Sequence, residues 1–165
     1  NRIMKIFIGG DHAGFELKEE LKKYLPELGL GYEVVDKGAF KYDANDDYPD
    51  FVSEVAKSVA ENSSSFGVII GGSGQGEAMC ANRVLGARAA VFYSEAIARS
   101  AIDIKGEKSV DPYEIIKLAR THNDANILSL SARFLSKDQI KFAIELFLKT
   151  EFPGDERHKR RLSTF

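Results

Sequence analysis

A glycine-rich turn that ends in a carboxylate is the segment of this sequence best suited to chemistry. In FGVIIGGSGQGEAMCANR, residues 66–83, an apolar run leads into the turn and then into Glu77, at the predicted start of a helix. The glycines of the turn are Gly71, Gly72, Gly74 and Gly76. Backbone N–H groups of such a turn converge and stabilise an oxyanion, and Ser73 can add a hydroxyl. With Glu77 as a base, these groups are what an enediolate intermediate needs.

Two common phosphate-binding motifs are excluded in this segment. The phosphate loop of nucleotide hydrolases requires a lysine after its last glycine, and none follows Gly76. The dinucleotide fingerprint G-x-G-x-x-G would place Glu77 at its third glycine, where a carboxylate repels a pyrophosphate. A purely structural Glu77 remains an alternative, because a helix dipole favours glutamate in the first turn by roughly 0.3–1 kcal/mol.

Two further pairs of polar residues could move protons. Asp11 and His12 follow the first predicted strand, where Asp11 could instead cap a helix that begins near Gly14. His122 and Asn123 lie in RTHND, which is also typical of an ordinary turn. Imidazole titrates near neutral pH, so both histidines are candidates for proton transfer or for binding.

Three arginines could bind a phosphate group through their planar, two-pronged hydrogen bonding. Arg133 follows the last predicted strand, and Arg157 and Arg161 are four residues apart, so they would share one face of a helix. A solvated basic tail, or a nucleic-acid patch, is the alternative for the last two. Tyr48, in DDYPD, could contact a ligand or simply pack as an aromatic residue.

Composition limits the class of protein. The 165 residues carry 23 basic and 25 acidic side chains, a net charge of −2, which argues against a dedicated nucleic-acid binder. The single cysteine, Cys80, excludes an intrachain disulfide and a cysteine-based zinc site. No apolar run approaches the roughly 18 residues of a membrane span. We expect one domain, residues 1–165, in the cytoplasm, without a membrane or nucleic-acid partner.

Short apolar runs alternate with amphipathic ones along the chain. We predict strands at 4–8, 32–35, 66–70, 88–92 and 127–130, and helices at 15–28, 49–62, 76–82, 94–102 and 137–149. This alternation indicates an α/β fold, a parallel sheet with helices on both faces. Ligands bind such sheets beyond the carboxyl ends of the strands. If the first and third strands are neighbours, Asp11 and His12 face the glycine-rich turn.

Six motifs in order resemble the ribose-5-phosphate isomerase B and galactose-6-phosphate isomerase family. They are IFIGGDHAGFELKEEL, VDKGAF, DDYPDF, IIGGSGQGEAMCANRVLGARAAV, RTHNDANILSLSAR and ERHKRR. The resemblance implies a three-layer, Rossmann-like α/β/α sandwich around a five-stranded parallel sheet. It also implies interconversion of aldose and ketose phosphates, as in the pentose phosphate pathway, through a cis-enediolate without metal or cofactor. Active sites would form between subunits of a homodimer or tetramer.

The resemblance also assigns roles to residues. One branch of the family has a catalytic cysteine as the first residue of the turn, where this chain has Gly71; the other uses a glutamate at the place of Glu77. Asp11 would manage protons between the two sugar oxygens, and His122 would open the furanose ring. Ser73 and the turn amides would hold the enediolate oxygens. The substrate-binding residues would be His12, Tyr48, Gly72, Gly74, Gly76, Asn123, Arg133, Arg157 and Arg161.

Three questions stay open at the level of sequence. Residues 103–118 read as an insertion, with a further helical stretch before His122, and they leave the substrate range undecided. The substrate could be ribose 5-phosphate or a six-carbon sugar such as allose or galactose 6-phosphate. A non-enzymatic module that binds a sugar phosphate or nucleotide is the third alternative. Cys80 is expected to be an apolar thiol with a raised pKa rather than the base.

Overall fold

The computed structural model describes residues 3–165, which form five strands and six helices. The strands are β1 (Met4–Gly10), β2 (Tyr32–Asp36), β3 (Phe66–Gly71), β4 (Ala89–Phe92) and β5 (Ile127–Ser131). The helices are α1 (Phe15–Glu27), α2 (Pro49–Glu61), α3 (Gln75–Ala81), α4 (Glu114–Thr121), α5 (Lys137–Lys149) and α6 (Glu156–Leu162). All four strand pairings are parallel, in the order β2-β1-β3-β5-β4. The predicted five-stranded parallel sheet is confirmed.

Helices cover both faces of this sheet, because its central strand is apolar on both sides. Val68, Ile69 and Ile70 of β3 are fully buried. Successive side chains of a strand point to opposite faces. Val68 and Ile70 accordingly pack with residues of α1, α4 and α5, and Ile69 packs with α2 and α3. The result is the expected three-layer α/β/α sandwich.

Local signals explain where several helices begin. Pro49 occupies the first turn of α2, where its fixed φ suits a helix and its missing N–H is not needed. Ser136 and Gln139 form a reciprocal capping box at the start of α5. The helical stretch expected before His122 is confirmed as α4. Among the described residues, no helix has the length and apolar character needed to cross a membrane.

The predicted helix at 94–102 is wrong. This segment is irregular, and its backbone N–H groups pair outside it: Ala96 donates to the carbonyl of Pro112, and Ile102 to that of Glu107. Ile97 is more than half exposed, so an amphipathic helix here would gain little from burial. The contacts with residues 103–112 therefore decide the conformation over local helix propensity.

Candidate active site

The strand order changes direction at β1, and in parallel α/β sheets such a switch point forms a crevice at the carboxyl edge of the sheet. β2 lies on one side of β1, and β3, with Ile70 opposite Gly10, lies on the other. The turn after β1 carries Asp11 and His12, and the turn after β3 carries the glycines. The two strands are thus neighbours, as the sequence argument required, and such a reversal is where α/β sheets bind ligands.

The glycine-rich turn is anchored through its carbonyl groups to β5. Ser131 Oγ donates to the Gly72 carbonyl at 2.7 Å, and Ser129 Oγ donates to the Gly74 carbonyl at 2.6 Å. Both serines are fully buried. Gly74 has φ of +79°, a left-handed conformation that favours glycine, and it caps α3. Residue pattern alone did not identify the two serines, although they are alternate residues of SLS and so lie on the same face of the strand.

Glu77 lies at the mouth of this turn with only 5% of its surface exposed. Burial raises the pKa of its carboxyl group and the nearby charge of Asp11 raises it further, while the amides of Glu77 and Gly74 lower it in part. A Cβ on Gly71 would lie 2.6 Å from Glu77 Oε2 and closer still to Oε1. The carboxylate therefore fills the space in which a side chain on residue 71 would begin. A buried carboxyl group with a raised pKa is suited to general-base chemistry.

Asp11 is buried beside Glu77, and its side chain does not cap α1. Its Oδ1 accepts a hydrogen bond from the Ala13 N–H at 3.0 Å, within its own turn. The N-cap of α1 is Gly14, with no side-chain hydrogen bond to the helix. The structure thus excludes the capping alternative for Asp11, whose second carboxylate oxygen, Oδ2, lies 3.8 Å from His12 Nδ1.

His12 is held by a carboxylate that the sequence argument did not single out. Asp46 Oδ1 accepts the His12 backbone N–H at 2.9 Å and lies 2.7 Å from His12 Nδ1. This hydrogen bond is the main cause of a raised pKa of His12, to which Asp11 adds and which burial and Arg133 oppose. The run of aspartates before Tyr48 was the one available signal for Asp46.

Asp11, His12 and Asp46 have potential ligand atoms within 4.8 Å of one another, and thus form a His–carboxylate cluster at metal-ligand spacing. Two features of the cluster disfavour a cation. His12 Nδ1 is already engaged by Asp46, and Arg133 is close enough to lower the pKa of His12. His12 and Arg133 are therefore the groups at this position that could donate to an anion or a hydroxyl group.

The remaining residues at this edge surround the turn. The Tyr48 hydroxyl lies 2.5 Å from where a Cβ on Gly76 would be, so Tyr48 contacts the start of α3. Arg133 Nη1 lies 3.0 Å from the corresponding position on Gly72. Ser73 Oγ accepts a 3.3 Å hydrogen bond from the Gln75 N–H. We call this group the Glu77 site; its members are Asp11, His12, Asp46, Tyr48, Gly72, Ser73, Gly74, Gly76, Glu77 and Arg133.

The other predicted residues lie at the opposite edge of the sheet. His122 ends α4 before β5 begins, and its ring stacks on that of His158 with centroids 4.2 Å apart. β5 rises about 13 Å between this edge and the Glu77 site. We call this group the His122 cluster; its members are His122, Asn123, Arg157, His158 and Arg161. Within one chain it does not meet Glu77.

Two side chains outside the proton-transfer groups also have perturbed environments. His158 is buried and makes no hydrogen bond through Nε2 to a described residue, and burial is the main cause of its lowered pKa. Burial likewise raises the pKa of the Cys80 thiol, the direction expected from the sequence. Cys80 therefore carries little thiolate at neutral pH.

Comparison with known proteins decides the family. The family model described as Ribose/Galactose Isomerase matches residues 6–107 and 109–165. The chain belongs to the ribose/galactose isomerase family. The match runs through segment 103–118 except for residue 108, and the status of that segment as an insertion stays a prediction.

Members of the family from several organisms are similar to this chain over nearly their whole length. Ribose-5-phosphate isomerase B of Mycolicibacterium paratuberculosis is 35% identical over 159 residues, covering 96% of this chain and 87% of the relative. A probable ribose-5-phosphate isomerase B of Mycoplasma genitalium is 39% identical over 158 residues, 95% of this chain and 90% of that one.

Solved structures of family members share the fold. Ribose-5-phosphate isomerase B from Mycoplasma genitalium, with bound ribulose-5-phosphate, superposes with a TM-score of 0.82 at 36% identity, covering 99% of this chain and 95% of that chain. The type B enzyme of Trypanosoma brucei gives a TM-score of 0.82 at 32% identity, covering 99% and 97%. The α/β architecture is therefore that of the family.

Proposed function

We propose that this chain is an aldose–ketose isomerase that interconverts ribose 5-phosphate and ribulose 5-phosphate through a cis-enediolate. The names of relatives at about 35% identity support this substrate, as does the ribulose-5-phosphate bound in one solved relative. The observation that carries the proposal is the buried Glu77 carboxylate beside Asp11 at the mouth of the glycine turn. The role expected in the pentose phosphate pathway and the cytoplasmic location stay predictions.

Glu77 is the proposed proton carrier between the two carbons. Its carboxylate takes the proton from C2 of the open-chain aldose, and the electrons of that C–H bond form the C1–C2 double bond of the enediolate. Glu77 then returns the proton to C1 and the carbonyl re-forms at C2. Asp11 moves the second proton between O1 and O2. The raised pKa of Glu77 strengthens it as a base relative to an exposed glutamate.

The turn supplies donors for the developing negative charge. We assign the amides of Gly72 and Gly76, with the Ser73 hydroxyl, to the enediolate oxygens. The Gly74 amide lowers the pKa of Glu77 in the free protein, so we assign it first to orienting the base. Tyr48 packs against the start of α3 and stabilises the wall of the crevice.

The His122 cluster would act on the substrate of a second copy. His122 and Asn123 are too far from Glu77 of their own chain, by about 13 Å of strand, to share its substrate. In a homodimer, the cluster of one copy would face the Glu77 site of the other, where His122 opens the sugar ring and Arg157 and Arg161 bind the phosphate. His12 and Arg133, which belong to the same chain as the Glu77 base, would add positive charge for the phosphate.

Turnover of purified protein tests this function. Ribose 5-phosphate should be converted to ribulose 5-phosphate, and turnover should be unchanged after removal of divalent ions with EDTA. Faster conversion of allose or galactose 6-phosphate would reassign the substrate to a six-carbon sugar. Binding without turnover of any of the three would favour the non-enzymatic module, and loss in EDTA with recovery on a divalent ion would overturn the metal-free mechanism.

A further inference from the structure

Asp46, in the loop between β2 and α2, makes two hydrogen bonds to a single residue on the other side of the crevice. Its Oδ1 accepts from the His12 backbone N–H and lies against Nδ1, at 2.9 and 2.7 Å. We infer that Asp46 is a positioning residue for the isomerase, which fixes the His12 ring with Nδ1 toward the loop and Nε2 toward the substrate. The inference rests on the proposed function, since it deepens the role of His12 in that site.

The loop that carries Asp46 is built to hold it in place. The Asp46 N–H donates to the Asp43 carbonyl at 3.1 Å, and Asp43 Oδ1 accepts the Asn45 N–H at 2.9 Å. This turn leads directly into Tyr48 and α2. Asp46 is therefore tied to a helix of the sandwich rather than to a free loop, and a fixed carboxylate can fix the ring that it binds.

The His12 ring is held from more than one side. Tyr42, from the same loop as Asp46, contacts the ring edge-on with centroids 6.5 Å apart. Asp46 binds Nδ1, so Nε2 is the ring nitrogen left for a ligand. One orientation of the imidazole is thereby selected and, when the ring is neutral, the tautomer with the proton on Nδ1.

The charges around His12 favour its protonated form. The charged groups that face it are Asp46, Asp11 and Arg133, of which the first two stabilise the imidazolium and the third opposes it. Only 9% of the Asp46 side chain is exposed, and its Oδ2 makes no hydrogen bond to a described residue. The Asp46 carboxylate therefore has no second side-chain hydrogen bond that competes with His12. The protonated His12 ring can then donate a hydrogen bond to a phosphate or hydroxyl oxygen.

Asp46→Asn is the test, because asparagine keeps the shape and an acceptor oxygen but removes the charge. With ribose 5-phosphate, KM should rise more than kcat falls, and kcat/KM should drop about ten-fold, because a hydrogen bond to a charged acceptor is replaced by a weaker one to a neutral acceptor. In a His12→Asn background the same substitution should change kcat/KM by less than about twofold, because Asp46 acts through His12. Asp47→Asn, at the exposed neighbouring position of the same loop, is the matched control and should change neither constant.

NMR titration of the histidine side chains gives a readout that does not depend on turnover. The His12 pKa should be lower in Asp46→Asn than in the parent protein and unchanged in Asp47→Asn. If Asp46→Asn unfolds, Asp46→Glu keeps the charge and should keep the His12 pKa raised. An unchanged His12 titration in Asp46→Asn, or an equal loss of kcat/KM with and without His12, would overturn the assignment. A parent protein that titrates as expected yet converts no sugar phosphate would instead refute the proposed function.

Discussion

The Glu77 carboxylate occupies the space directly above Gly71, where any side chain on residue 71 would begin. The resemblance implies two branches of the isomerase family. One branch has its base at the position of Gly71, and the other has it at the position of Glu77. In this chain the two groups would need the same volume, so a cysteine at 71 and an inward-facing Glu77 exclude each other. Gly71 therefore matters to the Glu77 site by leaving room for the carboxylate, even though it has no functional group.

Gly71→Ala should separate positioning of the base from its chemistry. The added methyl group would collide with the carboxylate and displace Glu77, so kcat should fall by about a hundred-fold, the lower end for losing a general base. The combination with Glu77→Gln should be no slower than Glu77→Gln alone, because both remove the same function. An alanine variant with normal kcat and an unchanged melting temperature would contradict this account.

The pH dependence of turnover should report the charge of Asp11. The pKa of Glu77 is raised above its usual 4.5, chiefly by burial and further by Asp11. Since Glu77 acts as the carboxylate, kcat should fall as the pH drops through this raised pKa. Asp11→Asn removes the negative charge that helps to raise the Glu77 pKa. The pH at which kcat is half of its maximal value should therefore be lower in this variant, even if the maximal rate also changes. Asp50→Asn, at the exposed start of α2, should leave the midpoint in place.

The fold was predictable where the hydrophobic pattern alone decides the structure. The unbroken apolar run of β3 and the periodicity of α5 identify buried elements at nearly the observed bounds. The segment 94–102 failed because its backbone hydrogen bonds go to Pro112 and Glu107, and these long-range partners are invisible to a local pattern.

The site was predictable where chemistry resides in one contiguous motif, as with Glu77 and its glycines. Asp46, Ser129 and Ser131 were missed because their hydrogen-bond partners are distant in sequence. His12 lies 34 residues from Asp46. The Gly74 carbonyl lies 55 residues from Ser129, and the Gly72 carbonyl lies 59 residues from Ser131. Serine and aspartate are common in turns and on surfaces. Their residue types therefore do not indicate that these three side chains are shielded from solvent and hold other parts of the site in place.

Mixing two inactive variants should test whether the site is shared between copies. Glu77→Gln and His122→Asn should each be nearly inactive alone. In mixed dimers, one of the two sites would combine an intact Glu77 with an intact His122, so about a quarter of the parent activity should return at equal mixing. Native mass spectrometry would count the mixed dimers, and mixed dimers without recovered turnover would argue against a shared site.

The buried side chain of Lys18 should contribute to the stability of the fold. Its side chain is 0% exposed and pairs with Asp36 at 2.8 Å and Glu19 at 2.9 Å. Lys18→Met should lower the free energy of unfolding by about 3 kcal/mol, the low end for breaking a buried pair, because Lys22 still reaches Asp36. Urea titration of both variants measures this. Lys57→Met, whose pair with Glu54 is exposed, should lower the free energy of unfolding by less than about 1 kcal/mol. Equal losses in the two variants would show that the Lys18 network adds no stability.

Turnover of ribose 5-phosphate by Glu77→Gln is the most direct test of the account. Glutamine keeps the size of the side chain but cannot accept the C2 proton, so kcat should fall on the order of 10²–10⁴-fold. The fold should survive, and stability at neutral pH should be equal or higher. A raised carboxyl pKa means that the folded state disfavours the ionised form, a cost that appears as the pH rises above the usual glutamate pKa and that glutamine removes. A well-folded Glu77→Gln with a kcat close to that of the parent protein would contradict the assignment of Glu77 as the base.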